Sequence, residues 1–231
     1  MQHNFRYSAA GALAVIGLLW LLALLDQGLD LRLYRLGIYP RALIGLPGIL
    51  FAPLIHGSWG HLISNSFALL VLLTTLLYGY PRSARAALAL IWLGSNLCVW
   101  LFARASWHFG ASGLTHGIMF YIFTSGILRR DRPSIALALI VFLLYGGMIW
   151  TIFPQQPDIS YESHFFGAAA GVLAALLFAH RDPRPPGRHY DWEDAENDTT
   201  LPVEPGDRPV NPADRRHAAA ATAADNRPAP D

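Results

Sequence analysis

The chain contains 231 residues, of which 53% are hydrophobic and 14% are charged, and its formal net charge is +1 at pH 7. So low a charged fraction is atypical of a soluble domain, and a near-neutral chain lacks the basic excess with which proteins bind nucleic acid. The apolar residues are gathered in runs separated by polar segments. The sequence therefore predicts a helical protein that crosses a lipid bilayer several times and has no nucleic-acid partner.

Six of the apolar runs are long enough to cross a membrane as helices. Ala9 to Leu25 lacks the small-residue cleavage signature of a signal peptide, so we expect it to be retained as the first helix. Ala42 to Ile55 holds two glycines and two prolines, and we expect a re-entrant or interfacial segment there rather than a span. The five other predicted spans are His61–Tyr80, Ala86–Phe102, Ser112–Leu128, Ser134–Phe153 and His164–His180.

Arginine supplies all 17 basic residues, and its distribution over the loops predicts the orientation. If the N-terminus lies inside, the inner segments hold Arg6, Arg82, Arg85, Arg129, Arg130, Arg132 and Arg181, whereas the outer segments hold Arg32, Arg35, Arg41 and Arg104. The inner excess predicts that both termini lie in the cytoplasm. We expect an integral, multi-pass protein of a bacterial inner membrane.

The last part of the chain differs in composition from the rest. Nine of the 16 prolines lie after residue 180, together with several acidic residues and an alanine run. Such a segment cannot bury enough apolar surface to order itself. We therefore predict a short cytoplasmic N-terminus of residues 1–7, a membrane domain of residues 8–180, and a disordered cytoplasmic tail of residues 181–231.

A serine and a histidine stand out among the polar side chains of the predicted spans. Ser112 lies in Gly110-Ala111-Ser112-Gly113 at the start of one span, and His164 lies near the start of another. Either side chain is costly in lipid unless it faces the protein interior and has a function there. A serine and a histidine on helices that touch have the chemistry of a nucleophile and its base. On its own, the Gly-Ala-Ser-Gly motif is more often a packing motif.

Glycines predict that these two helices pack closely. Gly113 and Gly117 are four residues apart, and Gly167 and Gly171 share one helical face with His164. Close packing would bring the serine and the histidine together at the same outer end. The start of a helix also offers free N–H groups to a developing oxyanion. No carboxylate lies between Asp30 and Asp131, and Glu162 points away from the histidine, so the sequence predicts a dyad rather than a triad.

A second polar group lies where the second span begins. His61 and Asn65 are four residues apart and share a helical face, and His56 lies just upstream. On its own, this group is more often a set of polar residues that join membrane helices by hydrogen bonds. Its spacing does not match that of a zinc site, and no carboxylate is nearby. We therefore predict no metal and no cofactor.

At these residues the chain resembles the rhomboid family of intramembrane serine proteases. The family has a Gly-x-Ser-Gly motif opening helix four, a histidine on helix six followed by glycines at +3 and +7, and a His-x4-His-x3-Asn signature entering helix two. The resemblance covers approximately residues 8–180. It implies an all-α membrane protein, a six-transmembrane-helix rhomboid-like bundle with a half-embedded first outer loop, here Ala42 to Ile55.

The resemblance also implies roles for individual residues. Ser112 is similar to the family's nucleophile, and His164 to its general base and acid. His61 and Asn65, with the Ser112 backbone N–H, resemble the oxyanion hole. His56 resembles the histidine that braces the first outer loop, and helix five with residues 154–162 resembles the substrate gate and cap.

The chain departs from the family pattern at two places. Many members have Trp-Arg nine and eight residues before the first motif histidine, and this chain has Pro47 and Gly48 there. Many members also have a tyrosine four residues after the serine, stacked under the catalytic histidine. This chain has His116, for which two interpretations remain open: a platform for His164, or a polar residue in a packed interface.

Three functions are compatible with a membrane protein of this kind. The first is an endopeptidase that hydrolyses peptide bonds in or next to the transmembrane segments of protein substrates, from a water-filled cavity that His56, Ser58, His61, Asn65, Ser106 and His108 could line. The second is a non-proteolytic rhomboid-like protein that binds transmembrane helices, whose relatives usually lack the serine or the histidine. The third, a transporter with a histidine relay, lacks the support of an intramembrane Asp, Glu or Arg. We favour the protease.

Overall fold

The computed structural model describes residues 4–154 and 159–183, and no β-strand is formed within these ranges. Its six main helices are α1 (Phe5–Leu29), α2 (Trp59–Gly79), α3 (Ala84–Phe102, with a π-helical turn at Leu90–Gly94), α4 (Ser112–Arg129), α5 (Arg132–Tyr145) and α6 (Tyr161–Phe178). The all-helical class that the sequence predicted is confirmed for this part of the chain. The disordered tail predicted for residues 181–231 lies, from residue 184 onward, outside the described residues.

Five helical segments are long and apolar enough to cross a membrane: Phe5–Leu29, Trp59–Gly79, Ala84–Phe102, Arg132–Ile152 and Tyr161–Arg181. The protein is therefore an integral, multi-pass membrane protein. Helix α4 occupies the place of the fourth predicted span, Ser112–Leu128, but is not among these five segments. Its polar and glycine residues lower its hydropathy, and twelve of its 18 residues are buried. A helix surrounded by other helices does not need an apolar face for lipid, and the count of six spans stays a prediction.

Helix α4 lies at the centre of the bundle and packs against α6, α5 and α2. Its buried apolar side chains, among them Ile118, Met119 and Ile122, belong to one core with leucines of α2. Helix α1 packs on the outer side of α2, where Trp20 Nε1 donates to Ser66 Oγ at 3.0 Å. The first turn of α4 therefore lies at one end of the bundle, among α2, α5 and α6.

The segment between α1 and α2 is built from short turns at Leu33–Leu36, Leu43–Gly45, Gly48–Phe51 and Ala52–Leu54. It is anchored to α3 by side chains one turn apart: Trp92 donates to the Leu50 carbonyl, Asn96 to Ile49, and Trp100 to Ala42, at 3.0–3.1 Å. A Cβ at Gly48 would overlap the backbone at Gly37. Position 48 therefore has no room for a larger side chain such as arginine, and α3 supplies the anchoring.

Helix α5 differs from its prediction. The sequence predicted one helix over Ser134–Phe153, but the α-helix ends at Tyr145 and the chain continues as a 3₁₀-helix over Gly146–Ile152. Two adjacent glycines, Gly146 and Gly147, stand where the change occurs, and glycine weakens an α-helix by about 1 kcal/mol relative to alanine. The tighter 3₁₀ segment carries Met148 and Thr151 to the start of α6, where they enter the candidate site.

Candidate active site

The structure brings the predicted serine and histidine together. Helix α4 begins at Ser112, and His164 lies in the first turn of α6. Ser112 Oγ and His164 Nε2 are 2.9 Å apart, which is hydrogen-bonding distance. This is the separation that transfer of the serine proton to the imidazole requires.

Glycines allow the two helices to approach this closely. A Cβ at Gly113 would lie 2.9 Å from the Ser163 carbonyl oxygen, and one at Gly117 would lie 3.0 Å from the Gly167 oxygen. In the opposite direction, a Cβ at Gly167 would overlap the Gly113 oxygen, and one at Gly171 would overlap the Gly117 oxygen. The backbones of α4 and α6 are therefore in direct contact over two turns, immediately below the serine and the histidine.

The other ring nitrogen of His164 faces a backbone group rather than a carboxylate. His164 Nδ1 lies 3.0 Å from the carbonyl oxygen of Thr151. Glu162, the nearest acidic residue in sequence, contacts Arg104 instead: Oε1 lies 3.6 Å from Nε and accepts from the Arg104 backbone N–H at 3.4 Å. The described residues therefore show a serine–histidine pair in which a carbonyl takes the place that a triad gives to a carboxylate.

His116 lies beneath His164. The two imidazole rings are stacked with centroids 4.1 Å apart and an interplanar angle of 10°. His116 Nδ1 is 2.7 Å from the Ser112 carbonyl oxygen, and Nε2 is 2.8 Å from Thr151 Oγ1 and 3.2 Å from the Met148 oxygen. The ring is buried. His116 thus contacts both the serine residue and the histidine ring of the pair.

The polar group of α2 lies on the opposite side of the serine. Asn65 is buried and its Nδ2 donates to His56 Nε2 at 3.0 Å, which leaves the second amide hydrogen of Asn65 available. Burial, with a smaller contribution from His61, lowers the pKa of His56 to about 4, so this ring is neutral near pH 7 and can accept from Asn65. The His61 ring packs against Gly110, whose φ of 119° suits glycine alone.

A cavity of about 740 Å³ opens onto the pair. Its lining includes Ser112, His116 and His164, as well as Ser58, His61, Asn65, Ser106 and His108, which the sequence predicted. The prediction was wrong for His56, which does not line the cavity: its ring is buried and is bonded to Asn65. His56 supports a residue that lines the cavity.

The loop of residues 103–111 closes one side of the cavity and is fastened to the start of α6. His108 Nε2 lies 3.0 Å from the Arg104 carbonyl oxygen, so Nε2 carries the proton and Nδ1 accepts from Ser160 Oγ at 2.6 Å. Burial lowers the pKa of His108, which favours this neutral form. Ser160 in turn caps α6 by accepting from the Ser163 backbone N–H. Sequence reasoning missed Ser160, although a serine three residues before the N–H that it caps is a typical helix start.

The first turn of α4 begins at the cavity, because Ser112 is its first residue and lines the cavity. The residue before the helix is Ala111, whose side chain cannot accept a hydrogen bond, and no side-chain cap is formed. The first N–H groups of a helix have no partner within the helix. They are therefore available to an anionic oxygen beside Ser112.

Comparison with known proteins adds two findings. Residues 45–181 match the family model described as the Rhomboid domain. The chain is similar to uncharacterized proteins of Mycobacterium tuberculosis and Mycobacterium bovis, each 37% identical over 177 residues that make up 72% of this chain and 73% of the relative. It is also 31% identical over 190 residues to an uncharacterized protein of Mycobacterium leprae, with 77% of this chain and 75% of that protein covered.

Proposed function

The chain belongs to the rhomboid family, and from this membership we propose that it is an intramembrane serine endopeptidase. Its substrates are membrane proteins, cleaved in or next to a transmembrane segment. The observation that carries the proposal is the 2.9 Å contact between Ser112 Oγ and His164 Nε2, both of which line the cavity. Activation of a serine by an adjacent base is the arrangement from which covalent acyl transfer proceeds.

In this mechanism, His164 Nε2 removes the proton of Ser112 as Oγ attacks the scissile carbonyl carbon. The oxyanion of the tetrahedral intermediate is stabilised by the Ser112 backbone N–H, Asn65 and His61. The His164 imidazolium then protonates the leaving amine, and an acyl-enzyme remains on Ser112. Water from the cavity, activated by the same histidine, hydrolyses the ester and restores the serine. His56, Gly110, Gly113, Gly117, Gly167 and Gly171 support this geometry and take no part in proton transfer.

Labelling with a fluorophosphonate tests the proposal, because this reagent phosphonylates only activated serines. We expect the wild-type protein to be labelled, the Ser112→Ala variant to remain unlabelled, and the His164→Ala variant to react far more slowly. A wild-type protein that is folded in detergent and is not labelled would favour a rhomboid-like protein that binds transmembrane helices without cutting them.

We propose six spans, with α4 as the fourth, and both termini in the cytoplasm of a bacterial cell. In a Cys98→Ala background, a membrane-impermeant thiol reagent should modify Ser106→Cys from outside and leave Pro133→Cys unmodified until the membrane is broken. Both positions are exposed in the structure, and neither substitution changes the arginine count. The opposite pattern would contradict the orientation derived from arginine.

Asn65→Ala tests the oxyanion role. Loss of one oxyanion-hole donor typically lowers kcat by about 10²- to 10³-fold. For Asn65→Ala we expect a fall in kcat of about 10²-fold or less, because His61 and the Ser112 backbone N–H still stabilise the oxyanion. KM should change little. The variant also leaves His56 Nε2 without its donor, so its thermal unfolding has to be measured beside its kinetics. A rise in KM with an unchanged kcat would identify Asn65 as a substrate-binding or packing residue.

Substitution of His116 tests the stacked ring. We expect His116→Tyr to remain active, because tyrosine keeps a flat polar ring, and His116→Ala to lose roughly 10-fold or more in kcat through loss of stacking and of hydrogen bonds. A fully active His116→Ala enzyme would contradict this role.

A further inference from the structure

We propose that Thr151 is a positioning residue for the reaction: its carbonyl selects the reactive tautomer of His164, and its hydroxyl holds His116 beneath that ring. The inference rests on the proposed function and extends it to a residue of the 3₁₀ segment Gly146–Ile152. Like Ser112, Thr151 hydrogen-bonds both stacked imidazoles, one through its main chain and one through its side chain. Unlike Ser112, it has no covalent part in the proposed reaction.

The carbonyl of Thr151 determines where His164 carries its proton. A carbonyl oxygen only accepts, so at 3.0 Å from it the Nδ1 of His164 must be the protonated nitrogen. Nε2 then has a lone pair directed at Ser112 Oγ, which is the form that a general base requires. In a triad a carboxylate fixes this tautomer and stabilises the imidazolium. Here the Thr151 carbonyl fixes the tautomer of His164 as a carboxylate would. Because the carbonyl is a dipole and not a full negative charge, it stabilises the imidazolium less than a carboxylate does.

The sequence explains why this carbonyl is free. In a 3₁₀-helix the carbonyl of residue i accepts from the N–H of residue i+3. For Thr151 that residue is Pro154, which has no N–H. The preceding bond of the ladder is made, since Phe153 N–H donates to the Trp150 carbonyl at 3.3 Å. The proline therefore leaves the Thr151 oxygen to the histidine.

The hydroxyl of Thr151 acts on the second ring. His116 Nδ1 faces the Ser112 carbonyl at 2.7 Å and is protonated, so in the neutral ring Nε2 needs a donor. Of its two contacts, the Met148 carbonyl cannot donate and the Thr151 hydroxyl can. The hydroxyl also lies 2.8 Å from the Met148 oxygen. When His116 is neutral, the Thr151 hydroxyl donates to Nε2. When His116 is protonated, the hydroxyl accepts from Nε2–H and donates to the Met148 carbonyl.

The carbonyl arm is tested by ¹⁵N NMR of the Ser112→Ala protein with labelled histidine, the His164 signals being assigned from their loss in the Ser112→Ala/His164→Ala protein. Without the serine hydroxyl, only Thr151 remains to choose the tautomer. We expect a protonated Nδ1 and an unprotonated Nε2. A protonated Nε2 would overturn the proposal. The measurement needs no proteolysis, so its failure is distinct from failure of the fluorophosphonate experiment on the wild type.

The hydroxyl arm is tested with Thr151→Val, which keeps the shape and removes the donor. We expect kcat to fall about 5- to 10-fold, as for loss of one hydrogen bond, with KM within twofold, and Thr151→Ser to recover most of the loss. In a His116→Phe background, where the acceptor is gone, Thr151→Val should cost nothing further. The matched control is Thr74→Val on α2, whose buried hydroxyl has no hydrogen-bond partner among the residues that the structure describes. A Thr151→Val enzyme with wild-type kcat, or an equal loss in both backgrounds, would overturn this arm.

Discussion

Ser112→Ala is expected to lower cleavage of a membrane-protein substrate by roughly 10⁴-fold or more, and His164→Ala to have a similar effect. The reason is geometric: the hydroxyl and the imidazole are hydrogen-bonded at 2.9 Å, and neither performs its step without the other. Because they act as a unit, the double variant should be little worse than either single variant. Cleavage of a reporter substrate in liposomes measures this.

Both variants should remain folded, since each only removes atoms at the edge of a cavity. The matched control is Ser95→Ala on α3. Within the described ranges, the hydroxyl of this buried serine donates to the Trp92 carbonyl of its own helix and to no other group, and the residue does not line the cavity. It should cleave within about twofold of the wild type. Substantial cleavage by Ser112→Ala, in protein free of any other protease, would contradict the mechanism.

The parts of the site that sequence reasoning located are those that depend on local patterns. Ser112 was expected to open a helix because polar and glycine residues precede an apolar run, and α4 begins there. The glycine spacing on two helices predicted which faces meet, because small residues at four-residue intervals permit only one close contact surface. His116 followed from the same helical period, since residue i+4 lies one turn below residue i.

The parts that sequence reasoning missed depend on the path of the backbone between helices. Thr151 reaches the histidines only because α5 becomes a 3₁₀-helix at Gly146, which turns its end toward α6. The glycine pair and Pro154 were visible in the sequence, but they do not say toward which neighbour a free carbonyl points. His56 was predicted to line the cavity because it is polar and lies just upstream of His61, where the chain enters the bilayer. Its actual partner, Asn65, is nine residues away in sequence and lies on the next helix.

Gly167→Ala and Gly171→Ala are expected to separate α4 from α6 and to lose most of the activity. The added methyl groups would overlap the carbonyl oxygens of Gly113 and Gly117. These oxygens belong to helical backbone and cannot rotate away, so the helices must move apart. Overpacking of this kind costs about 1–3 kcal/mol in stability. A displacement of about 1 Å between Ser112 and His164 would cost roughly 10²-fold in rate.

For the Gly167→Ala and Gly171→Ala variants, thermal unfolding in detergent measures the loss of stability. The rate of fluorophosphonate labelling measures the effect of separating Ser112 from His164. Gly17→Ala is the matched control: this glycine lies within α1, an added Cβ would meet nothing within 4 Å, and alanine raises helix propensity by about 1 kcal/mol. We expect it to be as stable as the wild type or more so, with an unchanged labelling rate. If Gly167→Ala and Gly171→Ala labelled as fast as Gly17→Ala, contact between the two backbones would not be what holds the serine against the histidine.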